Sequence, residues 1–156
     1  MSELAKFESD ISLARRFPVS VLITAEAEPA LAIACAIADP RETGRPRLMM
    51  FDGAAILDAA NRQRWESAGT AEAADLVIRD IDRLSQIEQA ALMTLLDTER
   101  ESGSRRIIAA APASLFARVQ EGTFMGELFY RLNVIHIVSD PCGEGHGTSP
   151  RPIIAA

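Results

Sequence analysis

The sequence predicts an α/β fold, a three-layer α/β/α sandwich built on a five-stranded, mainly parallel sheet. Three observations carry this expectation. Short runs rich in Val, Ile and Leu recur along the chain without polar alternation, as strands covered on both faces do. Segments of helical periodicity separate them, which suits crossover connections between parallel strands. Apolar residues make up 48% of the chain but aromatics only 5%. The core must then be mostly Ala, Ile, Leu and Val, a composition suited to helices packed on a sheet.

The elements follow in order. Residues 2–17 predict a helix with an apolar stripe of Leu4, Phe7, Ile11, Leu13, Ala14 and Phe17, stopped by Pro18. Residues 19–24 (V-S-V-L-I-T) read as the first strand. Pro29, near a helix start, introduces A-L-A-I-A-C-A-I-A, which ends at Asp39-Pro40. The stretch R-E-T-G-R-P-R is loop, residues 48–51 are the second strand, and a helix is expected over 54–64. Residues 65–73 read as a connection, and residues 76–78 as the third strand. Ser85-Gln86-Ile87-Glu88 forms a capping-box pattern. It opens a helix to about Glu101 with Ile87, Ala91, Leu92, Leu95 and Leu96 directed inward; Gly103 breaks it. Residues 106–111 are the fourth strand and 134–138 the fifth, with two short helices between them. Residues 1–138 are expected to form one domain. Residues 139–156, rich in Gly and Pro without apolar periodicity, read as a flexible tail.

Bulk charge narrows the function. The net charge is −6, and the Arg clusters at 15–16, 41–47 and 105–106 are short. Direct DNA binding is not expected of so acidic a chain. Two cysteines, Cys35 in an apolar helical run expected to be core and Cys142 in the tail, make no disulfide framework. No signal-like or membrane-length apolar segment occurs, so a cytoplasmic location is expected.

Chemistry in such a sheet is expected at the carboxyl ends of the strands. The first strand end reads Thr24-Ala25-Glu26-Ala27-Glu28-Pro29-Ala30-Leu31. A triphosphate-binding turn needs glycines whose amides wrap the phosphates, then a lysine and a hydroxyl. No glycine precedes Gly44, and Lys6 is the only lysine. Glu26 and Glu28 would oppose a triphosphate by several kcal/mol at ~4 Å. The third strand end offers Arg79, then Asp80 and Asp82, where a magnesium site wants an acid first. The two aspartates read as solvated turn residues or as an alternative cation site. The fourth strand ends at Pro112, which has no side-chain donor. His136 lies within a strand and reads as structural. Cys142 and His146 alone make no metal site. No Ser/His/Asp triad context is present.

Several segments, in this order, resemble the central AAA+ ATPase domain of bacterial sigma-54-dependent transcription activators. V-L-I-T-A-E at residues 21–26 is similar to the family's V-L-I-T-G-E. D-G-A-A-I at 52–56 is similar to N-C-A-A-I. Residues 76–96 resemble L-F-L-D-E-I-G-D-L…Q…L-L, and R-I-I-A-A-A-P at 106–112 resembles R-I-I-A-A-T-N. Residues 119–134 (V-Q-E-G-T-F-M-G-E-L-F-Y-R-L-N-V) are similar to V-x-x-G-x-F-R-x-D-L-Y-Y-R-L-N-V. The resemblance covers residues 17–138 and implies a P-loop NTPase, AAA+-type core; the helical lid, the sigma-54-contacting G-A-F-T-G-A loop and a helix-turn-helix have no counterpart here.

By the same resemblance, Thr24, Ala25, Glu26, Ala30 and Leu31 stand at phosphate-loop positions that have lost their glycines and lysine. Arg79 replaces the magnesium-binding acid, Asp80 stands at the catalytic glutamate and Pro112 at the sensor asparagine. Of two arginines the family offers across its subunit interface, one position holds Met125 and the other keeps Arg131. Phe124, Met125, Tyr130 and Arg131 are the interface candidates. The expectation is a pseudo-ATPase without cofactor, acting in transcription or signalling through a protein partner, itself or an intact homologous activator. The alternative is a nucleotide-binding or weakly active Mg-ATPase using Asp80 and Asp82. A third is a receiver-like or docking domain of a larger regulator.

Overall fold

The computed structural model describes residues 3–17, 19–38, 48–56, 58–68, 75–102 and 106–139. The loop at 41–47, the connection at 69–74, Gly103 and the tail from Asp140, with Cys142 and His146, lie outside them. Among the described residues five strands form one sheet: β1 (Val21–Thr24), β2 (Leu48–Asp52), β3 (Asp75–Arg79), β4 (Ile107–Ala111) and β5 (Ile135–Val138). Their order is β2-β3-β4-β1-β5, and every pairing is parallel.

Alternation along the strands divides the core into two layers. Val21, Ile23, Val77, Ile108, Ala110 and Ile137 face α1 (Glu8–Arg16) and α2 (Ala27–Ala38). Leu22, Leu76, Ile78, Ile107, Ala109 and Ala111 face α3 (Ala59–Ala68), α4 (Gln86–Ser102), α5 (Leu115–Glu121) and α6 (Gly126–Leu132). This is the expected three-layer arrangement. The register explains the sorting: Val21 lies beside Ile108, and Ile108 beside Val77, so one face collects all three.

Helix ends obey local chemistry. Ser85 and Glu88 form the reciprocal capping box, with Glu88 N–H donating to Ser85 Oγ at 3.2 Å and Ser85 N–H to Glu88 Oε1 at 2.9 Å. Pro29 sits in the first turn of α2, where its missing N–H breaks no helical bond. Ser114 caps α5, and Gly122 ends it at φ 80°, a left-handed turn suited to glycine. The first helix is split into a 3-10 turn (Glu3–Phe7) and α1; Phe17 is extended at φ −124° and ψ 129°, as a residue before proline must be.

Some expectations are corrected. Trp65 lies in α3 rather than in a connection and is buried, its ring 5.3 Å from that of Phe51. Arg64 stacks on the other partner, 5.0 Å from the Phe51 centroid. Tertiary packing thus carries the helix past its weak sequence pattern. The helix expected over 54–64 is instead a 3-10 turn, Gly53–Ala55, and then α3, whose first turn Asp58 caps at 3.3 Å through the Ala60 amide. Ile87 is 75% exposed, since it occupies the outer side of the first turn of α4. Leu13 and Phe17 are exposed, and Cys35 is half-buried.

Candidate functional site

At the carboxyl ends of β1, β3 and β4, beside the start of α2, lies a cavity of about 240 Å³. Its walls are Ala25, Ala27, Ala30 and Leu31 from the β1–α2 turn, Met50, Val77, Ala110 and Ala111 from the strands, and Pro112. Glu26, Arg79 and Asp80 supply the charges. The structure therefore gathers Ala25, Glu26, Ala30, Leu31, Arg79, Asp80 and Pro112, which the sequence places on three separate strand ends. Met50, Val77, Ala27, Ala110 and Ala111 complete the lining; sequence reasoning missed them because apolar residues within strands and helix starts read as core.

Thr24 does not line this cavity. Strand alternation turns it to the opposite face of β1, where its hydroxyl shares a 2.8 Å hydrogen bond with His136 Nε2 on β5. Burial lowers the pKa of His136 below its ordinary value of 6.5. The sign follows: the native state prefers the neutral ring, so the His136 contribution to stability is complete above pH 6.5. It is lost as pH falls through the lower native pKa. The melting temperature of the wild type is expected to drop more than that of His136→Gln between pH 7.5 and pH 5.5. Equal drops in thermal scans would refute this.

The β3 exit is tightly built. Asp80 holds a left-handed backbone, φ 51° and ψ 43°, a conformation that Asp tolerates better than most residues. A β-carbon at Gly53 would stand 2.8 Å from the carbonyl oxygens of both Arg79 and Asp80, so glycine there lets the β2 exit close on this turn. Asp82 goes elsewhere. It is buried, with Oδ2 3.7 Å from Arg118 and Oδ1 without a hydrogen-bond partner, and it is not part of the cavity lining. Asp80 lines the cavity and Asp82 turns to Arg118, so the two aspartates of the alternative reading are placed differently. Among the described residues no group of three or more His, Cys, Asp or Glu side chains is placed to hold a metal ion.

The second set of candidates is divided. Phe124 is 3% exposed and part of the core, and Met125 is half-buried. Tyr130 stands 71% exposed, its ring against Phe129, which in turn meets the exposed Phe116. Arg131 is engaged within the chain by Asp97 of α4. Gln89, not singled out from the sequence, is buried and donates to the carbonyls of Leu84 and Thr123, each at 3.0 Å, while accepting from the Met125 amide at 2.8 Å. Among the described residues, no helix is long and apolar enough to cross a membrane.

Comparison with known proteins agrees with this architecture. The model of a family described as "Sigma-54 interaction domain" matches residues 2–138. The regulatory protein AtoC of Escherichia coli is 41% identical over 75 residues, covering 42% of this chain and 16% of its own. The phenol regulator MopR of Acinetobacter guillouiae is 28% identical over 128 residues, covering 76% of this chain and 22% of its own. The chain thus spans a fifth or so of these relatives' length. Among solved structures, NtrX from Brucella abortus in complex with ATP superposes with a TM-score of 0.67 at 18% identity, over 86% of this chain and 36% of NtrX. The P-loop NTPase domain of a sigma-54 activator from E. coli gives 0.58 at 14% identity, over 85% of this chain and 99% of that domain. The fold is that of P-loop NTPases of the AAA+ type, and the chain belongs to the sigma-54 interaction domain family.

Proposed function

We propose that this chain is a sigma-54-activator-type core without ATPase activity, working as a regulatory protein–protein interaction module in bacterial transcription or signalling. The makeup of the strand-end cavity supports this reading. Its turn is walled by Ala25, Ala27, Ala30 and Leu31, with Glu26 beside them. No lysine is available, since Lys6 lies before β1. Arg79 and Pro112 supply neither a magnesium ligand nor an amide sensor. A triphosphate would meet carboxylates and methyl groups where it needs amides and an ammonium.

The partner surface is the side carrying Tyr130 and Phe116, whose exposed rings flank buried Phe129. Aromatic side chains of this kind dominate protein interfaces. The partner is a second copy or an intact activator of the same family. Neither DNA nor a membrane is engaged directly, and the location is cytoplasmic. Calorimetry with Mg-ATP is expected to give no heat of binding at protein concentrations that would detect a micromolar Kd, and phosphate release is expected to match the buffer blank. Micromolar binding or turnover above blank overturns the reading.

A further inference from the structure

The strand-end cavity carries three charged side chains, Glu26 and Arg79 exposed and Asp80 half-buried. Among the described residues, the side chains of Glu26, Arg79 and Asp80 form no hydrogen bond or ion pair with each other or with any neighbour. They stand on the edge of a space lined otherwise by Ala, Leu, Met, Val and Pro side chains. At about 240 Å³ the cavity is smaller than the ~300–1,000 Å³ of drug-sized sites. Its apolar part suits a few heavy atoms of aliphatic body. The turn bearing Arg79 and Asp80 is also held in place: Asp80 is in the left-handed region, and Gly53 lets the neighbouring backbone close on it. Strained backbone of this kind collects at ligand sites.

We propose that this cavity binds a free aliphatic amino acid. An apolar body matches the small hydrophobic walls. The guanidinium of Arg79 offers a planar fork for the α-carboxylate. The carboxylates of Asp80 and Glu26 take the α-ammonium. A ligand of one sign would leave the opposite charges on the edge unused, whereas a zwitterion engages both. The proposal rests on the reading that this cavity no longer holds ATP, and it supplies the signal that such a regulatory module would sense.

The test is thermal shift and calorimetry on the full chain with millimolar L-leucine, L-valine and L-methionine. Isovalerate, isoamylamine, glycine and Mg-ATP serve as comparison probes. At least one aliphatic amino acid is expected to raise the melting temperature by several degrees. It is expected to bind at least tenfold more tightly than isovalerate, isoamylamine or glycine. Arg79→Gln and Asp80→Asn are each expected to weaken it at least tenfold, with the unliganded melting temperature unchanged; asparagine preserves the left-handed turn. Ala27→Phe, at an exposed wall position, is expected to block binding. Silence of all the amino acids, equal binding of a one-charge analogue or of glycine, or binding that survives these three variants overturns the assignment. If Mg-ATP is silent too, the inactive-core reading stands while this one falls. Binding of Mg-ATP overturns the reading on which it rests.

Discussion

Replacing Gln89 with leucine is expected to destabilise the fold by about 4 kcal/mol, since each buried polar group left unpaired costs about 1–3 kcal/mol. Leucine is close in size, so little of the loss is packing. What disappears is a three-way tie: the side-chain amide joins the carbonyl of Leu84, before α4, to the carbonyl of Thr123 and the amide of Met125 in the α5–α6 turn. Between those last two lies Phe124, whose ring is seated in the core by the same tie. Urea unfolding measures the total. Hydrogen exchange at the Met125 amide measures the local part, and its protection should fall before the rest of α6 loses any. A loss under 1 kcal/mol, with Met125 still protected, would show that water or the backbone replaces the glutamine.

Arg106→Met is expected to be nearly as severe, on the order of 3 kcal/mol, because it leaves a mostly buried carboxylate without its partner. Arg106 Nη1 donates to Asp75 Oδ2 at 3.1 Å and to the Ile37 carbonyl at 3.3 Å, joining the starts of β3 and β4 to the end of α2. The pair is 13% and 18% exposed, which places the effect toward the lower end of buried pairs. Burial pushes the Asp75 carboxyl above its ordinary value of 3.8, and the guanidinium opposes that push without cancelling it. Without Arg106 only the burial remains. A carboxyl whose native pKa is raised stabilises the fold below the unfolded value and loses that contribution as pH rises through the native one. The gap between variant and wild type should therefore be widest near neutrality and close as pH approaches 4. Adding Asp75→Asn should recover part of the loss at neutral pH. A gap independent of pH would assign the effect to lost packing of the Arg106 stem.

The strands and the capped helix were legible because their signals are local. A run such as V-L-I-T can be buried only in a covered sheet, and Ser85 and Glu88 lie three residues apart on one turn. The 119–134 segment was legible by resemblance, and its Leu128 and Leu132 are fully buried. Trp65 reads as polar surface because its neighbours in sequence are polar, whereas its ring packs against Phe51 of β2 within the larger core cluster. Gln89 was passed over for a related reason. Helical periodicity marks which side of a helix is inward, but a glutamine there reads as polar until its backbone partners, one of them 36 residues away, are known. Strand-end reasoning found the cavity residues but could not assign them to faces. Thr24 and Asp82 belong to the same turns as Ala25 and Asp80, yet alternation and the path of the turn send them to His136 and Arg118.

The position of β1 has a consequence for how the protein is made. Residue 21 pairs with residues 108 and 135, so the strand synthesised first has no neighbour until nearly the whole sheet has been translated. At about 5–20 residues per second on the ribosome, β1 and the greasy helix after it wait for seconds to tens of seconds. Only β2 and β3 can pair during that interval, and closing the centre of the sheet then requires a long-range search that local contacts do not speed. Nascent chains arrested before residue 107 should therefore be protease-sensitive throughout the β1–α2 segment and bind trigger-type holdases. Chains released past residue 139 should become resistant in a single step.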